Sequence, residues 1–234
     1  MHNIEINAKV GIYSEESNSV YQQLKERHRQ ERGSYPQALS LRVHRALSWL
    51  NKAEQCKDYD SKFIFLWIAF NAAYAQDFDS KQDFCERGLY QEFLAKIILL
   101  DTSKKLSEIV WYQYSKSIRL ILNNEYIFHS FWKFQSGQIT ESQWKQEHSK
   151  AKAAANNALA SGDTTTVLSI LFSRLYTLRN QLLHGGATYN SQANREQLRD
   201  CTTLLSSIVP VIIELMMDGA EHIWGDAIYP LVDS

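Results

Sequence analysis

Apolar positions along the chain recur at helical rather than strand spacing. Between about Gln37 and Cys56, Leu39, Val43, Ala46, Leu50 and Ala53 follow one another at steps of four and three. That rhythm predicts a helix with one core-facing stripe, leaving Arg42, His44 and Arg45 for solvent. From about Ser61 to Gln76, Phe63, Trp67, Phe70 and Tyr74 fall in a narrow sector of a second, aromatic helix, a pattern of core packing. A third helix opens after Ser161-Gly162, with Asp163 as its N-cap and Leu171, Leu175, Leu178 and Leu182 as its stripe. The last long helix carries Leu198, Cys201, Leu205, Ile208, Ile212 and Leu215 in a near-heptad pattern. It is expected either to pack against the third helix or to form a dimer seam, with a kink at Pro210.

The remaining segments are read in the same way. Residues 1–13 read as a short strand or a loose arm, Ser14–Arg32 as a charged, solvated helix, and Gly33-Ser34-Tyr35-Pro36 as a break. After a polar loop over residues 77–82, a helix is predicted from about Gln82 to Leu100, with Asp101-Thr102-Ser103 resetting the chain. The stretch from Lys104 to Leu122 is apolar nearly all round, so it is either buried or paired with another chain. Residues 125–134 hold five aromatic side chains and Lys133; core or dimer packing is the first reading, base stacking the second. Thr140 and Gln143 form a capping box for an exposed helix reaching about Ala160, mildly basic through Lys145, Lys150 and Lys152. A polar loop, Ala187–Ala193, precedes a second expected box at Asn194 and Gln197.

Composition narrows the class. Nine glycines and three prolines in 234 residues favour long helices over a turn-rich β fold. A net charge of −1 excludes a general nucleic-acid coat, so any RNA must meet a local basic patch. Cys56, Cys85 and Cys201 lie far apart, which excludes a zinc-type pair or a disulfide framework and points to free thiols in a reducing cytoplasm. The start lacks a secretory signal, and apolar runs such as Val209–Met217 are too short to span a membrane. No HExxH, Walker, GxGxxG, GxSxG or EF-hand pattern occurs, and the histidines do not group with acids at metal spacing; no cofactor is expected.

Reactive groups gather in one place: Arg179-Asn180-Gln181-Leu182-Leu183-His184, followed by Gly185-Gly186. Arginine forks onto phosphate oxygens as a permanent cation. Histidine exchanges a proton near neutral pH. RNA carries its own nucleophile, the 2′-hydroxyl, so a strand can be cut by proton transfer and charge stabilisation without a metal. Asn180 can hold the histidine or the phosphate by hydrogen bonds. On a straight helix Arg179 and His184 stand roughly 140° apart. Convergence on one phosphate therefore needs either a distorted helix end or two chains meeting about a two-fold axis, and the second is preferred.

This motif, an arginine and a polar residue with a histidine four positions after it, resembles that of the HEPN superfamily, helical and usually dimeric domains. Many are metal-independent endoribonucleases in toxin–antitoxin, phage-defence and RNA-processing systems. The aromatic run Phe63–Tyr74 is similar to the first core helix of larger members. The resemblance implies an all-α, HEPN-like bundle in a single domain. Its core would come from residues 37–76 and 165–218, with an N-terminal arm and helix over 1–35 and a helical insertion over 77–162. It implies a cytoplasmic endoribonuclease acting as a homodimer on RNA, with Arg179 and His184 as the catalytic pair, Asn180 assisting, and an antitoxin or regulatory protein as a further partner. Arg174, Arg195 and Arg199 are candidate substrate contacts, and Asn71 is either a polar partner of the site or an amide satisfied between helices. The alternative is a non-catalytic helical module that binds RNA, a nucleotide or a protein.

Overall fold

The computed structural model describes residues 19–74, 86–192, 195–222 and 224, with only the backbone for 86–90. Among these the protein is all-α, without a strand. Ten α-helices follow in order: α1 Val20–Glu31, α2 Gln37–Glu54, α3 Tyr59–Tyr74, α4 Glu86–Leu100, α5 Lys105–Glu108, α6 Ser115–Asn123, α7 His129–Gln135, α8 Glu141–Ser161, α9 Thr164–Leu183 and α10 Arg195–Asp218. The expected arm at 1–13, the loop at 77–82 and Cys85 lie outside the described residues.

The predicted stripes account for the centre. Leu39, Val43, Ala46, Leu50 and Ala53 of α2 are all buried, as are Phe63, Trp67, Phe70 and Tyr74 of α3. α2 and α3 form a tight hairpin, and α10 packs on both. The faces of α9 are covered by α3, α4, α6 and α8. Aromatic rings cement the α3–α9 contact: Phe172 lies 4.4 Å from Phe70 and 6.3 Å from Trp67, and Tyr176 lies 6.2 Å from Trp67. Each fully buried ring among these, Phe70, Trp67 and Phe172, contributes roughly 1.5–3 kcal/mol of transfer free energy. Leu94, Ile97, Ile118 and Ile121, from the middle of the chain, join the same core. α4 and α6 are therefore part of the bundle, α8 joins it through Ala155 and Ala158, and α7 flanks it.

Several local expectations are corrected. Arg42 is buried, not solvent-facing: its guanidinium donates to the Trp224 carbonyl, which pins the chain beyond α10 to α2. The stretch from Lys104 to Leu122 is no single buried helix. The Asp101 carboxylate caps Lys105 and Leu106 at 2.8 and 2.7 Å, and a π turn over Ile109–Gln113 then re-aims the chain. Trp111 reaches Thr164 and Tyr114 reaches Ser207, while Tyr112 and Leu120 are left exposed. The aromatic segment becomes a 3-10 turn and α7, packed ring to ring against Trp144 and His148 of α8, so stacking within the protein accounts for it. Gln197 is buried and accepts from Asn124 at 2.7 Å; Asn194 lies outside the described residues. Pro210 lies inside α10, which continues past it to Asp218. The whole helix is long and apolar enough to cross a membrane by length and composition, more than the shorter run implied, but 67% of its apolar window is buried against other helices.

Histidines in this packing link stability to pH. His28 of α1 is buried between Ser40, Tyr35 and His44, with Nδ1 lacking a hydrogen-bond partner. Burial first, and then the Lys25 charge, hold its pKa below the usual histidine value; His44 and His148 are lowered by burial as well. The fold thus prefers neutral rings, while the unfolded chain takes up protons as pH falls through about 6.5. Stability from this source is complete above that value and is lost on acidification. The melting temperature is expected to fall between about pH 7 and 5.5, above the range where most carboxylates titrate. A flat melting profile over that interval would sink the idea.

Candidate functional site

The site is built on the C-terminal end of α9. The helix starts where Asp163 accepts from the Thr166 amide at 3.0 Å and from its hydroxyl at 2.6 Å. Leu171, Leu175 and Leu178 are buried, and Leu182 is half-buried near the end. The helix stays regular to its end: the His184 amide still donates to the Asn180 carbonyl at 3.0 Å. Gly185 then turns the chain with φ +72°, where an L side chain is strained. At Gly186 a Cβ would stand 3.2 Å from the Gln181 carbonyl oxygen. The two glycines are thus explained by the turn itself. Gly185→Ala is expected to cost about 1–2 kcal/mol, read as a drop of several degrees in melting temperature; an unchanged melting curve would contradict this role.

The three motif side chains are disposed as follows. The half-buried Arg179 donates to the Asn180 side-chain oxygen at 2.8 Å and lies over the Tyr176 ring at 5.9 Å. Its Nε is buried without a partner. Asn180 thus orients the arginine rather than the histidine within this chain. His184 is exposed at the helix end, and its imidazole makes no hydrogen bond to the described residues. Because α9 is regular, one chain leaves Arg179 and His184 on different sides, about 140° apart and roughly 7.5 Å along the axis.

The other candidates divide. Arg174 is buried, its guanidinium 4.3 Å from the Phe128 ring, so it faces the interior instead of a phosphate in solvent. Asn71 is next to Phe70, at the level of Phe172 on α9. Residues 172 and 184 are separated by roughly 18 Å of helix axis, so Asn71 is remote from His184 in the same chain; its buried side-chain oxygen has no hydrogen-bond partner. Arg195 does come close: its guanidinium pairs with the nearly buried Asp60 at 2.5 Å and donates to the Ser191 carbonyl at 2.9 Å. Arg199 is exposed and pairs with Asp200 at 3.2 Å.

Two adjoining hollows flank the end of α9. One, of about 210 Å³, is bounded by Gln181, Gly186, Thr188, Ser191 and Arg195. The other, of about 280 Å³, is bounded by Ile64, Phe65, Leu182 and Tyr189. Asp60, Leu182 and Ala187 belong to both. The Gln181 amide and the Trp132 indole both donate to the Tyr126 carbonyl, at 2.6 and 2.7 Å, tying α7 to α9. Sequence reasoning missed Asp60 and Tyr189. The available signal was Tyr189, an aromatic side chain in an otherwise polar loop. Among the described residues no group of three or more histidines, cysteines and carboxylates gathers as a metal site would. Comparison of the chain with family models, with curated proteins and with solved structures finds no match in any of the three.

Proposed function

We propose that this protein is a metal-independent endoribonuclease of the HEPN type, working as a homodimer in a toxin–antitoxin or defence setting. One observation carries the reading: an exposed histidine closes a well-packed helix whose last turns hold an arginine already oriented by its neighbouring amide. The regular helix end favours the two-fold arrangement, in which the arginine of one chain stands beside the histidine of the other. In such a site the 2′-oxygen bonds to phosphorus while the bond to the 5′-oxygen breaks. A histidine takes the 2′-hydroxyl proton, and the leaving oxygen acquires one. Arg179 stabilises the charge on the non-bridging oxygens. The products are a 2′,3′-cyclic phosphate and a 5′-hydroxyl. Incubating the purified protein with a mixed RNA pool, with and without EDTA, tests this: EDTA-resistant fragments bearing cyclic phosphate are expected, and intact RNA in every lane would refute it.

A second reading draws on the burial of Arg179, whose Nε is sealed in the packing and whose guanidinium rests on Tyr176. Under it the motif is architectural, and the protein is a non-catalytic RNA-, nucleotide- or protein-binding module. It predicts that Arg179→Ala lowers the melting temperature and that His184→Ala changes nothing.

A further inference from the structure

Resting on the ribonuclease reading, we propose that the two hollows beside α9 form one nucleotide subsite for single-stranded RNA. The base lies in the apolar hollow between Phe65 and Tyr189, and its phosphate lies beside Arg195 in the polar one.

The argument is the match between an amphipathic cleft and an amphipathic ligand. A nucleotide has a flat apolar base at one end and an anion at the other. The apolar hollow offers Ile64, Phe65, Leu182 and the highly exposed Tyr189, whose relative accessibility is 67%. Phe65 is braced from α2 by Trp49, with ring centres 5.7 Å apart. The polar hollow is bounded by Arg195, Thr188 and Ser191, with Gln181 at its edge already bonded to the Tyr126 carbonyl. Asp60, the one carboxylate among the residues bounding either hollow, sits where they join and is already paired with Arg195. Its acceptor oxygens suit the amino edge of a base, and the pairing limits its repulsion of a phosphate. Charge on the rim has the matching sign: the exposed Lys52 has its ammonium 5.8 Å from the Phe65 ring centre.

Position and shape narrow the ligand further. Leu182 and Gly186, which bound the cleft, lie on either side of His184 in the chain. A nucleotide seated there would place a neighbouring phosphodiester near the motif. A base stacked and paired in a duplex cannot enter a hollow of this kind, so the strand must be single. An apolar protein segment would fill the first hollow but would make no use of the polar Arg195 side of the second.

The test uses fluorescence anisotropy of a labelled, mixed-sequence single-stranded RNA oligonucleotide, with the same sequence as a duplex beside it. Titrations are made with His184→Ala protein, so that cleavage does not intrude, alone and combined with Tyr189→Ala or Tyr189→Phe. Loss of a stacked aromatic is expected to weaken single-strand binding about tenfold. Tyr189→Phe should stay within about twofold, and duplex binding should be weak and indifferent to both. Tyr189 is exposed in a loop, so thermal melts should superimpose. Equal affinity for the single strand in all three proteins overturns the subsite, as does a change of oligomeric state on Tyr189→Ala, which would give this surface to a second copy. Cleavage by the His184-containing parent is scored separately. RNA cut by the parent with binding indifferent to Tyr189 sinks the subsite and spares the nuclease. Tyr189-dependent binding with no cutting sinks the nuclease and spares the subsite.

Discussion

Replacing His184 by alanine is expected to reduce RNA cleavage by about 10²- to 10⁴-fold, the usual worth of a positioned proton-transfer group, with no change in melting temperature. The second half of that expectation is set by the structure. His184 is exposed beyond the last residue of α9, its imidazole touches none of the described polar groups, and only its backbone amide takes part in the helix. Removing the ring therefore opens no cavity and orphans no partner. Arg179 is different. Its guanidinium is held by Asn180 and rests on Tyr176, so Arg179→Ala should cost both activity and some stability. Arg179→Lys separates the two roles, because lysine keeps the charge and loses the planar fork. Rates of single-turnover cleavage in EDTA, beside melts of the same samples, give the reading. A His184→Ala protein that cuts as fast as the parent ends the assignment, whatever the arginine variants do.

The chain announced its helices more clearly than its contacts. Stripes on α2, α3, α9 and α10 are legible because a core-facing helix must repeat its apolar residues every three or four positions, and all of those residues but the half-buried Leu182 are buried. The capping box at Thr140 and the Asp163 cap are legible for a similar reason, since helix ends leave amides that a nearby side chain must satisfy. What is not legible is where a residue off the stripe points. Arg42 lies off its stripe yet is buried, because a partner beyond α10, the Trp224 carbonyl, accepts a hydrogen bond from its guanidinium. Arg174 is hidden by the same principle, with the Phe128 ring as partner. The π turn at Ile109–Gln113 leaves no mark in the periodicity, since it follows from what Trp111 and Tyr114 find to bond. The motif itself could be picked out by residue type alone. The Asp60–Arg195 pair that borders it could not, because it joins residues 135 positions apart.

Phe172→Ala should give the converse result, a protein that melts far lower and, at low temperature, still cuts RNA at the parent's rate. The Phe172 side chain is fully buried where α3 and α9 meet, against Phe70 and Trp67. Truncation removes the ring's transfer free energy and leaves a cavity that two packed helices cannot close, at a cost of about 3–5 kcal/mol. For a chain of this size that corresponds to a fall of roughly 10 °C in melting temperature, and it is a large part of the 5–15 kcal/mol that typically separates folded from unfolded. Phe172→Leu, which keeps most of the volume, should fall only partway. Activity is expected to survive because the defect lies roughly 18 Å along α9 from His184, and the last turns of that helix are held independently by the Gln181–Tyr126 bond and the Gly185 turn. The pair of variants therefore forms a cross. His184→Ala should move rate and leave stability, and Phe172→Ala should move stability and leave rate. A Phe172→Ala protein that melts with the parent would mean that α9 is held by something other than this aromatic centre. One that folds but cannot cut would mean that the motif depends on the whole length of its helix.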